Sequence, residues 1–220
     1  MSRSNYFRLF YPGYGGEDLL KRLNKEFFHL PTLELSRALL GQTLVKETPE
    51  GKTAGRIVET EAYIGPEDRA AHSYKARRTK RTEIMFASPG HVYTYSMHTH
   101  CLFNIVSAPE NSPEAILIRA VEPLAGKDLM ESRRSGRREL EWTNGPGKLT
   151  KALGISMDDY GRHCCDDTSV YLLEGRRPEH IQAGPRVGID NSGEAVDYPW
   201  RFWDSSSPYV SKSRKKPGTP

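Results

Sequence analysis

The stretch RIVETEAYIGPEDRAAHS, residues 56–73, decides how the rest of the chain is interpreted. Its first half is rich in β-branched and aromatic residues, which is typical of a β-strand. Its second half holds glycine, proline and acidic residues, which end a strand and begin a loop. Strict alternation places two carboxylates and a phenol on one face, namely Glu59, Glu61 and Tyr63, together with Ile57. The opposite face carries the side chains expected in the core, which are Val58, Thr60, Ala62 and Ile64.

The sequence on either side of this strand predicts a mixed α+β fold. Residues 42–47 and 53–64 predict a β-hairpin, residues 90–107 predict strands around an exposed turn, and residues 114–121 predict a central strand. Further strands are predicted at 170–175, 185–190 and 200–205, and helices at 33–41, 126–134 and 147–154. We therefore expect a single mixed domain around a curved, largely antiparallel sheet, with helices packed outside and a protruding β-hairpin.

Length and composition fit one domain of this kind. The chain has 220 residues, of which 36% are hydrophobic, enough for a core at this length. We expect residues 26–210 to form the domain, residues 1–25 to be a mobile lead-in, and residues 211–220 to be a disordered basic tail. We expect no membrane span and no secretory signal. The three cysteines form no disulfide framework, which indicates a reducing compartment.

Basic residues are clustered, although the net charge is only +4. One cluster follows directly on the opening stretch, at residues 74–81, and two others lie at residues 133–138 and 212–216. Any one of these runs is more typical of a solvated surface than of a binding site. Taken together, they favour a polyanionic partner such as nucleic acid.

Glu59 and Glu61 allow several interpretations from the residues alone. They could be ordinary surface acids, or ion-pair partners of nearby arginines, which we expect for one of the two. With Asp68 and His72 they could instead bind a divalent ion, as in a nuclease. The short histidine and cysteine clusters at residues 98–101 and 163–167 do not match the spacing of a zinc site.

A metal-free carboxylate beside aromatic side chains is the remaining interpretation. Enzymes that act on a nucleobase take it out of the duplex and hold it by stacking and by hydrogen bonds to its edge. Tyr63, His72 and Tyr95 are the aromatic side chains that could hold such a base.

The chain resembles the alkyladenine DNA glycosylases, also called 3-methyladenine DNA glycosylases. The resemblance rests on GRIVETEAYIGPEDRAAHS, RTKRTEIMF, PGHVYTY, ILIRAVEP, NGPGKLTKALGI, GPRVGI and PWRFW, in the family's order. It covers about residues 27–210, and the pairing of ETEAY and AAH with NGPGKL is its most specific part. It implies a monofunctional base excision repair enzyme that flips a damaged purine out of DNA. The lesions implied are 3-methyladenine, other alkylated purines and hypoxanthine.

The resemblance also implies a role for each matched residue. Glu61 matches the catalytic acid that positions and deprotonates the attacking water, so that hydrolysis of the N-glycosidic bond leaves an abasic site. Arg119 matches an arginine that holds DNA near the flipped nucleotide. The residues that match the base-stacking positions are Tyr63, His72 and Tyr95.

The sequence departs from the family at one hairpin. Many relatives carry an aromatic wedge there, often the tyrosine of a YGMY-like stretch, whereas this chain has SMHTHCLFN at residues 96–104. Met97 and His98 are the candidate wedges, since apolar side chains can also separate base steps. Asn104 matches the asparagine that screens purines by their exocyclic group, across a segment that is one residue shorter.

The remaining expectations concern partners and location. We expect the partner to be double-stranded DNA with a damaged base, and we expect no cofactor and no metal. We expect the protein to be a monomer that is located with the DNA. That place is the nucleoid-containing cytoplasm in a bacterium or the nucleus in a eukaryote. A non-catalytic nucleic-acid-binding module and a metal-dependent nuclease stay open as alternative functions. The candidate contacts to the DNA backbone are Arg77, Arg78, Lys80, Arg81 and Lys148.

Overall fold

Within the part of the chain that the structure describes, the strands form one antiparallel sheet of eight. The structure is a computed structural model that describes residues 21–212. The strands are β1 Thr43–Thr48, β2 Gly51–Ile64, β3 Val92–Met97, β4 His100–Val106, β5 Glu114–Ala125, β6 Val170–Leu173, β7 Ile181–Gly184 and β8 Arg201–Asp204. They lie in the order β3-β4-β5-β2-β1-β6, and β8 pairs with both β2 and β7. This arrangement confirms the predicted α+β fold.

In residues 21–212, three α-helices pack against the sheet, and short 3-10 segments connect the other elements. The helices are α1 Thr32–Ala38, α2 Lys127–Arg133 and α3 Pro146–Leu153. The 3-10 segments are Lys25–His29, Tyr74–Ala76, Glu83–Phe86, Glu139–Glu141, Met157–Asp159 and Gly193–Asp197. Helix α3 begins with proline in its first turn and ends at Gly154, whose φ of +80° suits a left-handed cap. The three predicted helices are therefore confirmed.

The predicted strand at residues 185–190 was wrong. The strand lies just before it, at Ile181–Gly184, where it pairs with β8. Residues 185–190 form a loop whose polar groups bond to side chains of β2 and the following turn instead of to a neighbouring strand. The Arg186 side chain bonds to Asp68, and the Val187 backbone N–H bonds to Glu61.

Two of the three register irregularities between β2 and β5 interrupt the alternation that the sequence predicts for residues 56–64. In the register of this strand pair, Val58 is an extra residue on β2 and Arg119 is an extra residue on β5. Val58 consequently packs with Ala120 and Tyr209, whereas Ile57 joins the main core. The predicted faces of Ile57 and Val58 were therefore wrong, because a bulge moves a side chain to the other face.

The main core lies between one face of the sheet and the helices. Ile57, Ile118 and Phe103 from the strands are completely buried there. They pack in one cluster with side chains from all three helices: Leu35 of α1, Met130 of α2, and Leu149 and Leu153 of α3. A cavity lined by other side chains lies on the opposite face of the sheet.

The packed part of the chain extends beyond the predicted domain at both ends. Leu23 is buried and its neighbour Arg22 bridges to Leu173, while Ser211 is buried near the other end. The division into a mobile lead-in, a domain at 26–210 and a disordered tail stays a prediction, and residues 1–20 and 213–220 lie outside the described residues. Within the described part of the chain, no helix is long and apolar enough to cross a membrane.

Candidate active site

A cavity of about 150 Å³ lies on the face of the sheet that the helices do not cover. Directly opposed residues of neighbouring antiparallel strands share a face, so the register explains its walls. Tyr93 pairs with Asn104, and Asn104 with Leu117, and all three side chains line the cavity. The other walls come from β2, β3, β5 and two loops, through Tyr63, His72, Tyr95, Met97, Arg119 and Val187.

Glu61 lies behind the cavity wall and is hydrogen-bonded to residues that line the cavity. Its Oε2 accepts hydrogen bonds from the Tyr63 hydroxyl at 2.8 Å and from Arg119 Nη1 at 3.3 Å. Its Oε1 accepts a hydrogen bond from the backbone N–H of Val187 at 2.7 Å. Glu61 itself is completely buried, but all three of its partners line the cavity. The carboxylate of Glu61 is therefore fixed by residues of the cavity wall.

Glu59 and Glu61 are both ion-paired, whereas the sequence predicted this for one of them. Arg119 joins them, because its Nε donates to Glu59 at 2.9 Å while its Nη1 donates to Glu61. Burial acts to lower the pKa of Arg119, but the charges of Glu61 and Glu59 outweigh it and raise that pKa. The bulge on β5 explains the placement, since it turns Arg119 toward the face that holds both acids.

His72 enters the cavity from the loop after β2 and is fixed by two tyrosines. Its Nδ1 lies 2.7 Å from the Tyr93 hydroxyl, and its ring meets that of Tyr95 edge to face with centroids 4.5 Å apart. Burial, with the nearby charges of Arg81 and Arg77, lowers the pKa of His72 to about 4. The imidazole is therefore neutral at pH 7 and offers an uncharged aromatic surface.

Tyr63 is held between the carboxylate and a buried arginine. The guanidinium carbon of Arg186 lies 4.7 Å from the centre of the Tyr63 ring, which is a cation–π distance. Arg186 is itself fixed by both carboxylate oxygens of Asp68. Burial, followed by the charge of Glu61, raises the pKa of Tyr63 well above its ordinary value, so its hydroxyl remains a donor to Glu61.

Asn104 is buried in the cavity wall with a fixed orientation. Its Nδ2 donates a hydrogen bond to the backbone carbonyl of Tyr93 at 2.9 Å, across the β3–β4 pair. With one amide N–H held there, the Oδ1 atom and the second N–H of Asn104 remain to meet a ligand.

The β3–β4 hairpin ends in a two-residue turn with exposed side chains. Met97 is 46% exposed and also lines the cavity, which makes it an exposed apolar group at the edge of the site. His98 and Thr99 form the turn with positive φ angles of 53° and 107°. Both candidate wedge residues therefore lie at the hairpin tip.

The candidate DNA-backbone residues are all exposed. Arg77, Arg78, Lys80 and Arg81 follow His72 in the chain, and Arg78 forms an exposed ion pair with Glu83. Lys148 lies apart on α3, where its Nζ donates to Asn144 at 2.8 Å. Partial burial and then the charge of Arg134 lower the pKa of Lys148. Lys148 therefore belongs to a second basic surface.

The carboxylates proposed as metal ligands are ion-paired with arginines. Glu59 and Glu61 bond to Arg119, and Asp68 bonds to Arg186, so these acids do not converge on a common point with His72. Among the described residues, no group of three or more histidine, cysteine or acidic side chains could hold a metal ion.

Several site residues were not singled out from the sequence. Tyr93 shares a face with Tyr95, and strand alternation could have found it. Val187 and Arg186 come from the loop that was mistaken for a strand. Ser211 comes from a segment predicted to be disordered, and only its tertiary position reveals it.

A buried, ion-paired carboxylate beside an aromatic cavity, with exposed arginines nearby, is typical of an enzyme that acts on the bases of nucleic acids. The comparison with known families makes this specific. The profile of the methylpurine-DNA glycosylase family matches residues 26–208. The chain belongs to this family and is a DNA glycosylase.

Curated bacterial proteins are similar over most of their length. A protein of Bacillus velezensis is 62% identical over 87% of this chain and 97% of its own, and one of Bacillus subtilis is 62% identical over 84% and 94%. A protein of Listeria monocytogenes is 51% identical over 87% of this chain and 93% of its own. The names of all three provisionally assign them as 3-methyladenine DNA glycosylases.

Proposed function

We propose that this DNA glycosylase removes 3-methyladenine and other alkylated purines by hydrolysing the N-glycosidic bond with water activated by Glu61. The observation that carries the proposal is the position of Glu61, whose three hydrogen-bond partners all line the cavity. The names of the similar proteins support the choice of substrate. The products are the free base and an abasic site, with no strand cleavage.

A single carboxylate suffices for a base that already carries positive charge. Glycoside hydrolysis passes through a transition state like an oxocarbenium ion, and a second acid usually protonates the leaving group. A ring-alkylated purine leaves without that proton. Glu61 then orients the water, takes its proton and opposes the positive charge that develops on the sugar. Its Oε1 accepts one protein hydrogen bond and has a further lone pair for the water.

The flipped base is held between aromatic side chains in this proposal. Tyr63, His72 and Tyr95 supply the stacking surfaces, and each base–aromatic contact contributes about 1–3 kcal/mol. A neutral His72 can also hydrogen-bond the nucleotide. Asn104, fixed by the Tyr93 carbonyl, screens purines by the exocyclic group that reaches it. Arg119 holds both Glu61 and the DNA near the flipped nucleotide.

Met97 is the proposed wedge that fills the gap left by the flipped base. It is exposed and apolar at the hairpin tip and borders the cavity, which suits a side chain that separates base steps. His98 lies next to it in the turn and is the second candidate.

Backbone contacts are proposed for the exposed basic residues of two segments. Arg77, Arg78, Lys80 and Arg81 lie between β2 and β3 and Lys148 lies on α3, and phosphate contacts of this kind carry no sequence preference. We propose that the enzyme acts as a monomer on damaged duplex DNA. Its bacterial relatives and its substrate support a place with the nucleoid in the cytoplasm.

Base release is the direct test of this function. Duplex DNA methylated with dimethyl sulfate is incubated with the protein in EDTA, and the released bases are separated by chromatography. We expect free 3-methyladenine and abasic, uncut DNA. Binding without release would indicate a non-catalytic module. Cut strands that depend on a divalent ion would indicate a nuclease, and a covalent adduct trapped by borohydride would contradict the monofunctional chemistry.

A further inference from the structure

A second buried carboxylate, Glu59, lies two residues before Glu61 and receives four hydrogen bonds. Its Oε1 accepts from Arg119 Nε at 2.9 Å, from Arg201 Nε at 2.7 Å and from the Ser211 hydroxyl at 2.8 Å. Its Oε2 accepts from the Ser211 backbone N–H at 2.6 Å. These donors come from β5, from β8 and from the last described segment of the chain.

Ser211 also bonds to both arginines of this cluster. Its hydroxyl accepts a hydrogen bond from Arg119 Nη2 at 3.2 Å, and its carbonyl accepts one from Arg201 Nη2 at 3.2 Å. The hydroxyl therefore donates to Glu59 and accepts from Arg119 at the same time. As a result, the guanidinium of Arg119 is held at three nitrogens, by Glu59, Glu61 and Ser211.

We propose that Ser211 and Glu59 are positioning residues for base excision, which act through Arg119 on Glu61. This inference rests on the proposed function. Neither residue lines the cavity, whereas Arg119 does. Glu59 and Ser211 fix the plane of the guanidinium, so that its remaining nitrogen, Nη1, points at Glu61.

The physical reason is electrostatic preorganisation in a buried site. The charged and titratable groups around Glu61 include Glu59 and Tyr63 on its own strand, Arg119 on β5 and Tyr95 on β3. Arg201 of β8 pairs opposite Glu61, and Arg186 lies in the loop whose Val187 N–H bonds to Glu61. Among the described residues, Arg119 supplies the positive charge that bonds to Glu61 directly. Loss of the Ser211 hydroxyl leaves Nη2 without that acceptor. The guanidinium then shifts, which weakens its ion pair with Glu61.

The segment that carries Ser211 has an independent anchor. Tyr209 is buried against Val58 and Ala120, and its hydroxyl donates to Glu139 at 3.2 Å. Removal of one hydroxyl at Ser211 therefore leaves the segment in place. The exchange of Ser211 for alanine is thus a test of positioning more than of folding.

The experiment compares four variants with the wild-type chain in single-turnover release of 3-methyladenine from methylated duplex, between pH 5 and 9. Ser211→Ala removes the hydroxyl and Ser211→Thr keeps it. Ser207→Ala removes a buried hydroxyl from the same segment that contacts the Tyr209 backbone and not Glu59. Glu59→Gln tests the carboxylate itself. Melting temperature and affinity for undamaged duplex are measured for each protein.

We expect Ser211→Ala to lower the excision rate by about tenfold, as for one missing hydrogen bond to a charged group. We also expect it to move the acid limb of the pH profile to higher pH, with unchanged affinity for undamaged DNA. Ser211→Thr and Ser207→Ala should behave like the wild type, and Glu59→Gln should show a larger loss. If the wild type releases base and the Ser211→Ala profile superimposes on it, the positioning role is wrong although the proposed function stands. If the wild type releases no base, the proposed function fails first.

Discussion

Arg119 and Glu61 form a direct ion pair between neighbouring strands, with 3.3 Å between Nη1 and Oε2. A bulge at Arg119 makes the ion pair possible, because it turns this extra residue of β5 toward the face of the sheet that holds Glu61. The pair links a completely buried acid to a residue of the cavity wall. Excision should therefore depend on the geometry of this pair and on the surfaces around it.

The first prediction concerns the guanidinium of Arg119 and its three hydrogen-bond partners. Arg119→Lys keeps the charge, but one ammonium group cannot reach Glu59, Glu61 and Ser211 together. We expect a loss of about 1–3 kcal/mol in the free energy of unfolding, measured with urea, and at least a tenfold loss in single-turnover excision. Arg56→Lys is the matched control, because Arg56 also bonds two carboxylates but away from the cavity. An equal loss of excision in both variants would contradict a specific role for Arg119.

The second prediction concerns the protonation of His72. Burial and the charges of Arg81 and Arg77 lower its pKa to about 4, from an ordinary value of 6.5. The unfolded chain therefore binds this proton more readily, so the contribution of His72 to stability falls as the pH drops from 6.5 toward 4. NMR titration of the imidazole should give a midpoint near pH 4, and Arg81→Ala should raise it. A wild-type midpoint at or above 6.5 would show that the ring is open to solvent.

The third prediction concerns the hairpin tip. Met97→Ala should slow base flipping in a duplex that carries 2-aminopurine next to the lesion, because the gap in the stack is no longer filled. Met97→Leu should stay close to the wild type, since it keeps an apolar side chain of similar volume. His98→Ala is the comparison in the same turn. If His98→Ala slows base flipping while Met97→Ala does not, then His98 is the wedge and the assignment of Met97 is wrong.

The fourth prediction concerns the basic surface beside His72. Exchange of Arg77, Arg78 and Lys80 for alanine should weaken binding to damaged and undamaged duplex alike. For each phosphate that the variant no longer neutralises, the slope of log affinity against log salt should become shallower by about 0.9. The control exchanges exposed Arg176 and Arg177, beyond β6 at the opposite edge of the sheet. A loss confined to damaged duplex would argue against a role at the DNA backbone.

The sequence predicted the strands of this fold well, because local alternation and turn residues define them. The β1–β2 hairpin, the β3–β4 hairpin and the central β5 all lie where their patterns indicate. Alternation also places Glu59, Glu61 and Tyr63 on one face, as the register confirms. The position of a bulge, however, depends on how two strands pair in the folded protein, so it cannot be predicted from the sequence of one strand. For this reason the faces of Ile57 and Val58 were wrong.

The parts of the site that could not be predicted come from distant loops. The backbone N–H of Val187 reaches Glu61 only because residues 185–190 leave the sheet. Ser211 reaches Glu59 across 152 residues of chain, and its segment has the local pattern of a polar, basic tail. Local patterns predict which residues form strands, but they do not predict which loop closes over a buried charge.

The exchange of Glu61 for glutamine tests the central claim most directly. Glu61→Gln keeps the size of the side chain and removes its charge, so the variant should fold and bind lesion-containing duplex with an affinity near that of the wild type. Single-turnover release of 3-methyladenine should fall by at least about a hundredfold, the lower bound for loss of a general base. Release at the wild-type rate by a folded Glu61→Gln protein would contradict the account.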